Sequence, residues 1–396
     1  MRLLLGGVPL GCDNVGDEAI IACVVTLLKR LVPGVELTVC TNEPERTAAI
    51  LQVRCIPLHG FFSAKDLKDF TAEARRHDAY VWFGATGLSD YPETALRLLR
   101  AAQKAGVPTI VWGVGMNAQL NPAFYKAGGT RRKLLRLATR CCLNLVDWTD
   151  LYERLLVSRT RKRIARALNA CELVVLRDAE SAAEVARCGV RNALTGADTA
   201  ILLESADKPP LPERQDVTRI GFCISAQSAL RQMDMMRNLW DCLLDRPDTG
   251  LVLIPMNPKT DRRLMQELAA QTRHPERIEC LEDDAPATVQ ACAAQCRVIV
   301  SSRLHLLILA ANAGVPAVGI ERGSKITNWL RQFGREPAGT VDACDFDALK
   351  TQIDAALATP PDMARDAIRQ VTDSLHGRLD AAAEHLKKVL AGLSHA

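Results

Sequence analysis

The sequence predicts an α/β protein of two Rossmann-like domains facing each other across a cleft. Short apolar runs alternate with stretches of helical periodicity from end to end, the pattern of parallel strands joined by crossover helices. The alternation breaks once, at 205–217 (SADKPPLPERQDV), where three prolines and no apolar period mark a linker. The length of 396 residues also exceeds what one hydrophobic core usually serves.

The opening MRLLLGGVPLG holds one Arg and a stub of apolar residues, so residues 2–5 read as a first strand rather than a secretory signal. A loop rich in Gly, Asn and Asp follows, then a helix burying Ile20, Ile21, Val24, Leu27, Leu28 and Leu31. Residues 36–40, 80–83, 109–112 and 173–176 are the next strands, each ended by polar or glycine punctuation. Beyond the linker the pattern restarts with strands at 219–224, 251–255, 277–281, 298–301 and 317–320. The predicted organisation is a first domain over 1–204, the linker, a second domain over 218–360, and a polar-faced helical tail over 361–396. Two such halves create a cleft, a common place for ligands. The longest apolar candidate, 306–320, is broken by Asn312, Gly314 and Pro316, well short of the roughly 18 residues of a membrane span.

A 48% hydrophobic and 24% charged composition excludes disordered and fibrous classes. None of the fourteen cysteines forms a Cys-x-x-Cys pair, and Cys292 with Cys296 lacks a second pair, so packed thiols in a cytoplasmic protein are expected rather than a metal site. Net charge is +4, yet residues 126–166 carry twelve Lys/Arg against three acids, a local +9 that leaves −5 elsewhere. This block is either a pair of solvated amphipathic helices or a peripheral surface held at anionic head groups on the inner face of the plasma membrane. Nucleic acid is not an expected partner, because only 4% of residues are aromatic.

In doubly wound sheets, ligands sit at the carboxyl ends of strands, so residue types there are informative. Asn14-Val15-Gly16-Asp17-Glu18 opens a helix after the first strand. Gly16 allows a tight turn, and Asn14 or Asp17 can cap the helix. Two acids at this helix start argue against a bound phosphate there. Gly84 and Gly87, and later Gly113 and Gly115, follow other strands and would let a ligand approach the backbone. Arg177-Asp178 ends the strand at 173–176 and is aimed at the same edge. In VIVSSRLHLLILAANAGVPAVGIERGSK, an apolar strand runs straight into a helix, placing Ser302, Arg303 and His305 in its first turn, where free N–H groups favour an anion. Lys325 follows the neighbouring strand and is expected to meet Arg303 and His305, forming a site for a small carboxylate or phosphate.

Together these residues resemble the polysaccharide pyruvyl transferase family. Its Gly-Asp-Glu motif matches Gly16-Asp17-Glu18, its Arg-Asp-x-x-Ser motif matches Arg177 to Ser181, and its Ser-Arg-Leu-His motif matches Ser302 to His305. The downstream Gly-x-Pro and lysine are similar to Gly314-Val315-Pro316 and Lys325. The match runs in order over roughly residues 1–335. Departures fall at Gly84-Ala85-Thr86-Gly87 for a triple glycine, Gly113 to Ala118 for a glycine-rich loop, Asp198-Thr199 for Asp-Pro, and Ser225-Ala226-Gln227 for a strand end that often carries arginine.

The resemblance implies a fold like the GT-B glycosyltransferases. It also implies transfer of an enolpyruvyl-derived group from phosphoenolpyruvate, as a ketal, to a saccharide, free or lipid- or nucleotide-linked, in cell-surface polysaccharide biosynthesis. Arg177, Arg303, His305 and Lys325 would serve the phosphoenolpyruvate site, with His305 protonating or positioning the enol and Asp17 or Glu18 as base for the acceptor hydroxyl. Ser302, Asn14, Gly16, Gly84 and Gly87 would complete substrate binding. No cofactor or metal is expected, phosphoenolpyruvate entering as donor substrate. The competing readings are a glycosyltransferase or nucleotide-sugar epimerase using a UDP-sugar on the same scaffold, and a catalytically silent binding protein.

Overall fold

Apolar strands too short to stand alone are buried on both faces by the helices that connect them, which sets the chain into two parallel sheets. The structure, a computed structural model, describes residues 1–117, 120, 125–143, 145–214, 216–226 and 230–393. Of the residues singled out above, Ala118 and Gln227 lie outside these.

The first sheet comprises β1 (Arg2–Gly6), β2 (Glu36–Thr41), β3 (Arg54–Pro57), β4 (Ala79–Phe83), β5 (Thr109–Val114), β6 (Leu173–Leu176) and β7 (Ala193–Thr195). They lie in the order β3-β2-β1-β4-β5-β6-β7, and all pairings are parallel. The second sheet comprises β8 (Thr218–Cys223), β9 (Thr249–Leu253), β10 (Ile278–Cys280), β11 (Val298–Ser301) and β12 (Ala317–Gly319), in the order β10-β9-β8-β11-β12, also parallel. In each sheet the chain winds outward from the first strand, then jumps to its other side. The jumps leave crevices at the carboxyl ends of β1/β4 and β8/β11, the switch points where such folds bind ligands.

Predicted strands reappear with ends moved by a residue or two; β6 and β11 match their predicted bounds. The short edge strands β3 and β7 went unpredicted. The helix Val15–Leu31 buries Ile20, Ile21, Val24, Leu27 and Leu28 as its periodicity requires. The predicted helical tail is helix Pro361–Leu393, whose apolar face buries Ile368, Leu375, Leu379, Leu386 and Leu390 in the core of the first sheet. Each such side chain contributes about 1.5–3 kcal/mol of burial. That core continues into Leu304, Leu307, Ile308 and Trp329 of the second domain, so helix Leu304–Asn312 is wedged between the sheets. Hydrogen bonds also cross: Val15 N–H donates to Met256 O at 3.0 Å, and the Asn312 side-chain amide donates to Ala200 O at 2.9 Å.

Among the described residues no helix is long and apolar enough to cross a membrane. All fourteen cysteines are free thiols, and burial pushes those of Cys23, Cys40, Cys223 and Cys292 up to about 12, which keeps them inert.

Candidate functional site

Both switch points open onto one place. On the first-domain side, Asn14 caps helix Val15–Leu31, its Oδ1 accepting from Gly16 N–H at 3.3 Å while its amide donates to Asp17 Oδ2 at 2.7 Å. Asp17 is therefore not the cap. Its carboxyl is buried, and burial raises it above the ordinary range against the opposing pull of His305, Asn14 and Lys325. Glu18 serves the preceding loop instead, its Oε1 accepting from Gly11 N–H at 3.0 Å. Of the two acids, Asp17 is the one held in the field of His305.

Gly16 is required by that neighbour. A Cβ there would stand 1.9 Å from Nδ1 of His305, so the bare backbone is what lets the imidazole of the second domain lie against the first. Across the ring, His305 Nε2 is 3.6 Å from Asp198 Oδ2, both atoms being buried and without a hydrogen bond. Asp198 follows β7, and its Oδ1 accepts from Ala200 N–H at 3.0 Å, which aims Oδ2 at both His305 and Arg177 Nη1, the latter 3.7 Å away. Burial pushes the Asp198 carboxyl up, but His305, Arg177 and the Ala200 N–H outweigh it and hold the group below the usual carboxylate range.

Arg177 leaves the end of β6 and donates from Nε to Asp178 Oδ2 at 3.1 Å. Asp178 also caps the next helix through Ser181 N–H at 2.7 Å, and Ser181 Oγ accepts from Met116 N–H at 2.9 Å. The Arg-Asp-x-x-Ser spacing is thus a brace that fixes one guanidinium against the β5 loop.

On the second-domain side, the helix starts at Leu304, two residues later than the predicted first turn requires. Ser302 and Arg303 precede it, with Arg303 extended (φ −113°, ψ 122°). Ser302 is a tie rather than a ligand group: its N–H donates to Cys223 O and its Oγ accepts from Ser225 N–H at 2.9 Å, joining the ends of β11 and β8. Arg303 turns into its own domain, with Nε 3.1 Å from Asp261 Oδ2 and Nη2 2.8 Å from Oδ1. Asp261 is fully buried and accepts further bonds from Ala226 and Asn257 N–H. Arg303 and His305 therefore point apart, as alternate positions do, and face different domains.

Lys325, in helix Ser324–Arg331 after β12, shares a small cavity with Arg177, Asp178, Asp198, Leu304 and Trp329. Burial lowers its ammonium to about 8; Asp90 opposes the shift, while Arg322, Arg177 and Arg303 add to it. Arg322, which donates to Ser225 Oγ at 2.7 Å, completes a set of four cations from both domains. Asp90 accepts from Thr86 Oγ1 and, at 3.1 Å, from the Asn117 amide, whose Oδ1 receives Ser324 Oγ–H from across the cleft at 3.4 Å.

The predicted glycines of the first domain find a packing explanation. Gly84 (φ +60°) would drive a Cβ to 2.7 Å from Ile20 Cγ2, and one on Gly87 would come within 2.7 Å of Trp82 and 3.0 Å of Tyr91. Protein side chains, not open space for a ligand, occupy those approaches. Sequence reasoning missed Asp261, Asp90 and Arg322 as site residues, and saw Asp198 only as a departure. The available signal was position, since Asp198 and Asp261 both follow parallel strands at helix starts.

In fold the chain is similar to a putative UDP-N-acetylglucosamine 2-epimerase from Listeria monocytogenes, with TM-score 0.60 and 12% identity over 93% of this chain and 90% of that one. It is also similar to UDP-GlcNAc 2-epimerase from Neisseria meningitidis, with TM-score 0.58 and 12% identity over 95% and 100%. The glycosyltransferase of kitacinnamycin gives TM-score 0.58 and 12% identity over 98% of each chain. At such identities the likeness shows the fold alone, a two-domain α/β architecture of the GT-B kind. No curated protein matches the chain in sequence. A family model does: polysaccharide pyruvyl transferase, over residues 14–324. That span runs from the Asn14 cap to the start of the helix bearing Lys325 and includes Asp17, Arg177, Arg303 and His305, so the chain, a transferase, belongs to the polysaccharide pyruvyl transferase family.

Proposed function

We propose that phosphoenolpyruvate is the pyruvyl donor and that it binds among Arg177, Arg303, Arg322 and Lys325. The observation that carries this reading is that Arg177 and Lys325, one from each domain, line a single cavity with Asp198, whose other neighbour is His305, while the charges of Arg322 and Arg303 act on Lys325 from the second-domain side. Phosphate and carboxylate together bring up to three negative charges to be met there. Burial chiefly lowers Lys325, and an anion among these cations would relieve the repulsion from Arg322, Arg177 and Arg303 that adds to it.

His305 delivers a proton to the methylene carbon of the enol, and Asp198 supplies the counter-charge for the imidazolium. C2 becomes electrophilic, and an acceptor hydroxyl adds to it while losing its proton to Asp17, whose carboxyl burial has made more basic than usual. The C2–O bond to phosphate then breaks, phosphate leaves with the proton Asp17 had taken, and a second hydroxyl of the same saccharide adds to C2, closing the ketal as its proton returns to His305. Asp17 sits where acceptor and donor would meet, on the first-domain side of His305. A saccharide presented on a lipid carrier fits an enzyme held at a bilayer.

The test is a thermal-shift series. Phosphoenolpyruvate at 100 times its dissociation constant raises stability by about 2.7 kcal/mol. Arg177→Ala and Lys325→Ala should each abolish that rise, and UDP-GlcNAc should give none. A response to UDP-GlcNAc and not to phosphoenolpyruvate would overturn the donor assignment and put a nucleotide-sugar reaction in its place.

A further inference from the structure

We propose that the helical hairpin 129–168, inserted between β5 and β6, docks the protein onto an anionic lipid bilayer. Eight of the twelve large apolar side chains exposed among the described residues fall between Leu134 and Leu155. At the turn, Leu143 and Leu145 are 82% and 84% exposed, with Val146 and Trp148 beside them. Leu134 and Leu137, three apart, share one face of helix Gly129–Cys141, which buries none of its residues. Apolar surface this concentrated marks an interaction site.

The charges around it choose the partner. Arg132, Arg136 and Arg140 recur every fourth residue along the same helix, with Lys133 between them. None of these four makes an ion pair among the described residues, unlike Arg154, Arg161 and Arg163 on the second helix. Apolar side chains flanked by unpaired cations fit the boundary between acyl chains and anionic head groups, and not a neutral or acidic-poor surface.

The hairpin is also on the right side of the molecule. Helix Trp148–Leu168 runs antiparallel to the strands and buries only Thr160, Ile164, Ala167 and Leu168, near its end. It is about 31 Å long. The strands beside it, of four and six residues, span about 13–20 Å. Its first half therefore overhangs the carboxyl edge of the sheet, the edge that carries Arg177. Docking by the hairpin would turn the cleft toward the membrane.

This surface shares no residue with the transfer site, and its test needs neither donor nor acceptor, so it can fail independently of pyruvyl transfer. The full chain is floated with vesicles of phosphatidylcholine alone or with 30% phosphatidylglycerol. Wild type should float with the anionic vesicles only and be released as salt rises. Each neutralised cation in Arg132→Gln, Arg136→Gln, Arg140→Gln should weaken binding about fivefold. The pair Leu143→Asp, Leu145→Asp should abolish it, with unchanged circular-dichroism melts, as both residues are exposed. Equal flotation with neutral vesicles, or none with anionic ones, overturns the proposal. So does a dimer by light scattering that the Leu→Asp pair splits while vesicle binding is absent, which would give the face to a second copy of this chain.

Discussion

Replacing Gly16 by Ala isolates the position of His305 from its chemistry. The added methyl would lie 1.9 Å from Nδ1 and 2.4 Å from Cγ of the imidazole, against ordinary contact beginning near 3.4 Å. The ring must therefore retreat by about 1.5 Å, because Gly16 belongs to a capped helix that cannot follow. A misplacement of about 1 Å at a reacting group costs on the order of a hundredfold in rate. We expect Gly16→Ala to lower kcat for phosphate release from phosphoenolpyruvate at least a hundredfold, while the stabilisation by phosphoenolpyruvate persists, since Arg177 and Lys325 stay in place. Overpacking should cost about 1–3 kcal/mol of stability. Combined with His305→Gly, the clash disappears and the melting temperature recovers, but activity does not. A Gly16→Ala protein with near-normal kcat would refute the placement of His305 at the reacting atoms.

Asp198→Asn keeps the acceptor for Ala200 N–H but removes the counter-charge of His305; kcat should fall about a hundredfold in steady-state assays. Asp261→Asn removes the buried carboxylate that Arg303 pairs with and should cost about 3–5 kcal/mol, read from the urea midpoint, with much of it recovered in Asp261→Asn, Arg303→Met. Lys325 gives a pH signature. Its folded-state value of about 8 lies below the usual 10.5, so between these values the unfolded chain binds more protons and stability of the ligand-free protein rises with pH. Phosphoenolpyruvate affinity should fall over the same window as the ammonium is lost, and Lys325→Arg should flatten both curves.

What the sequence disclosed follows from how local each feature is. Strands such as β6 (LVVL) and β11 (VIVS) are buried on both faces and advertise themselves as apolar runs. By contrast β3 (RCIP) and β7 (ALT) are half-exposed edge strands held by one neighbour each, and carry no such run. Arg177, His305 and Lys325 were legible because strand ends dictate where they go. Arg303 was legible as a charge but not as the partner of Asp261, forty-two residues earlier, since the pairing exists only once β9, β8 and β11 lie in that order in one sheet. The same holds for Gly16, whose reason is a ring arriving from the other domain, and for Gly84, whose neighbour is Ile20 rather than a ligand.

Helix Pro361–Leu393 fills the core of the sheet that opens the chain, yet the whole second sheet is translated before it. The first domain consequently emerges from the ribosome with a groove over β6 and β7 that its own sequence cannot close. It must wait, partly apolar and exposed, until the second domain has been made and the helix returns. Folding order and synthesis order are thus opposed in this chain. A nonsense mutation anywhere in the helix would cripple the domain farthest from it in sequence.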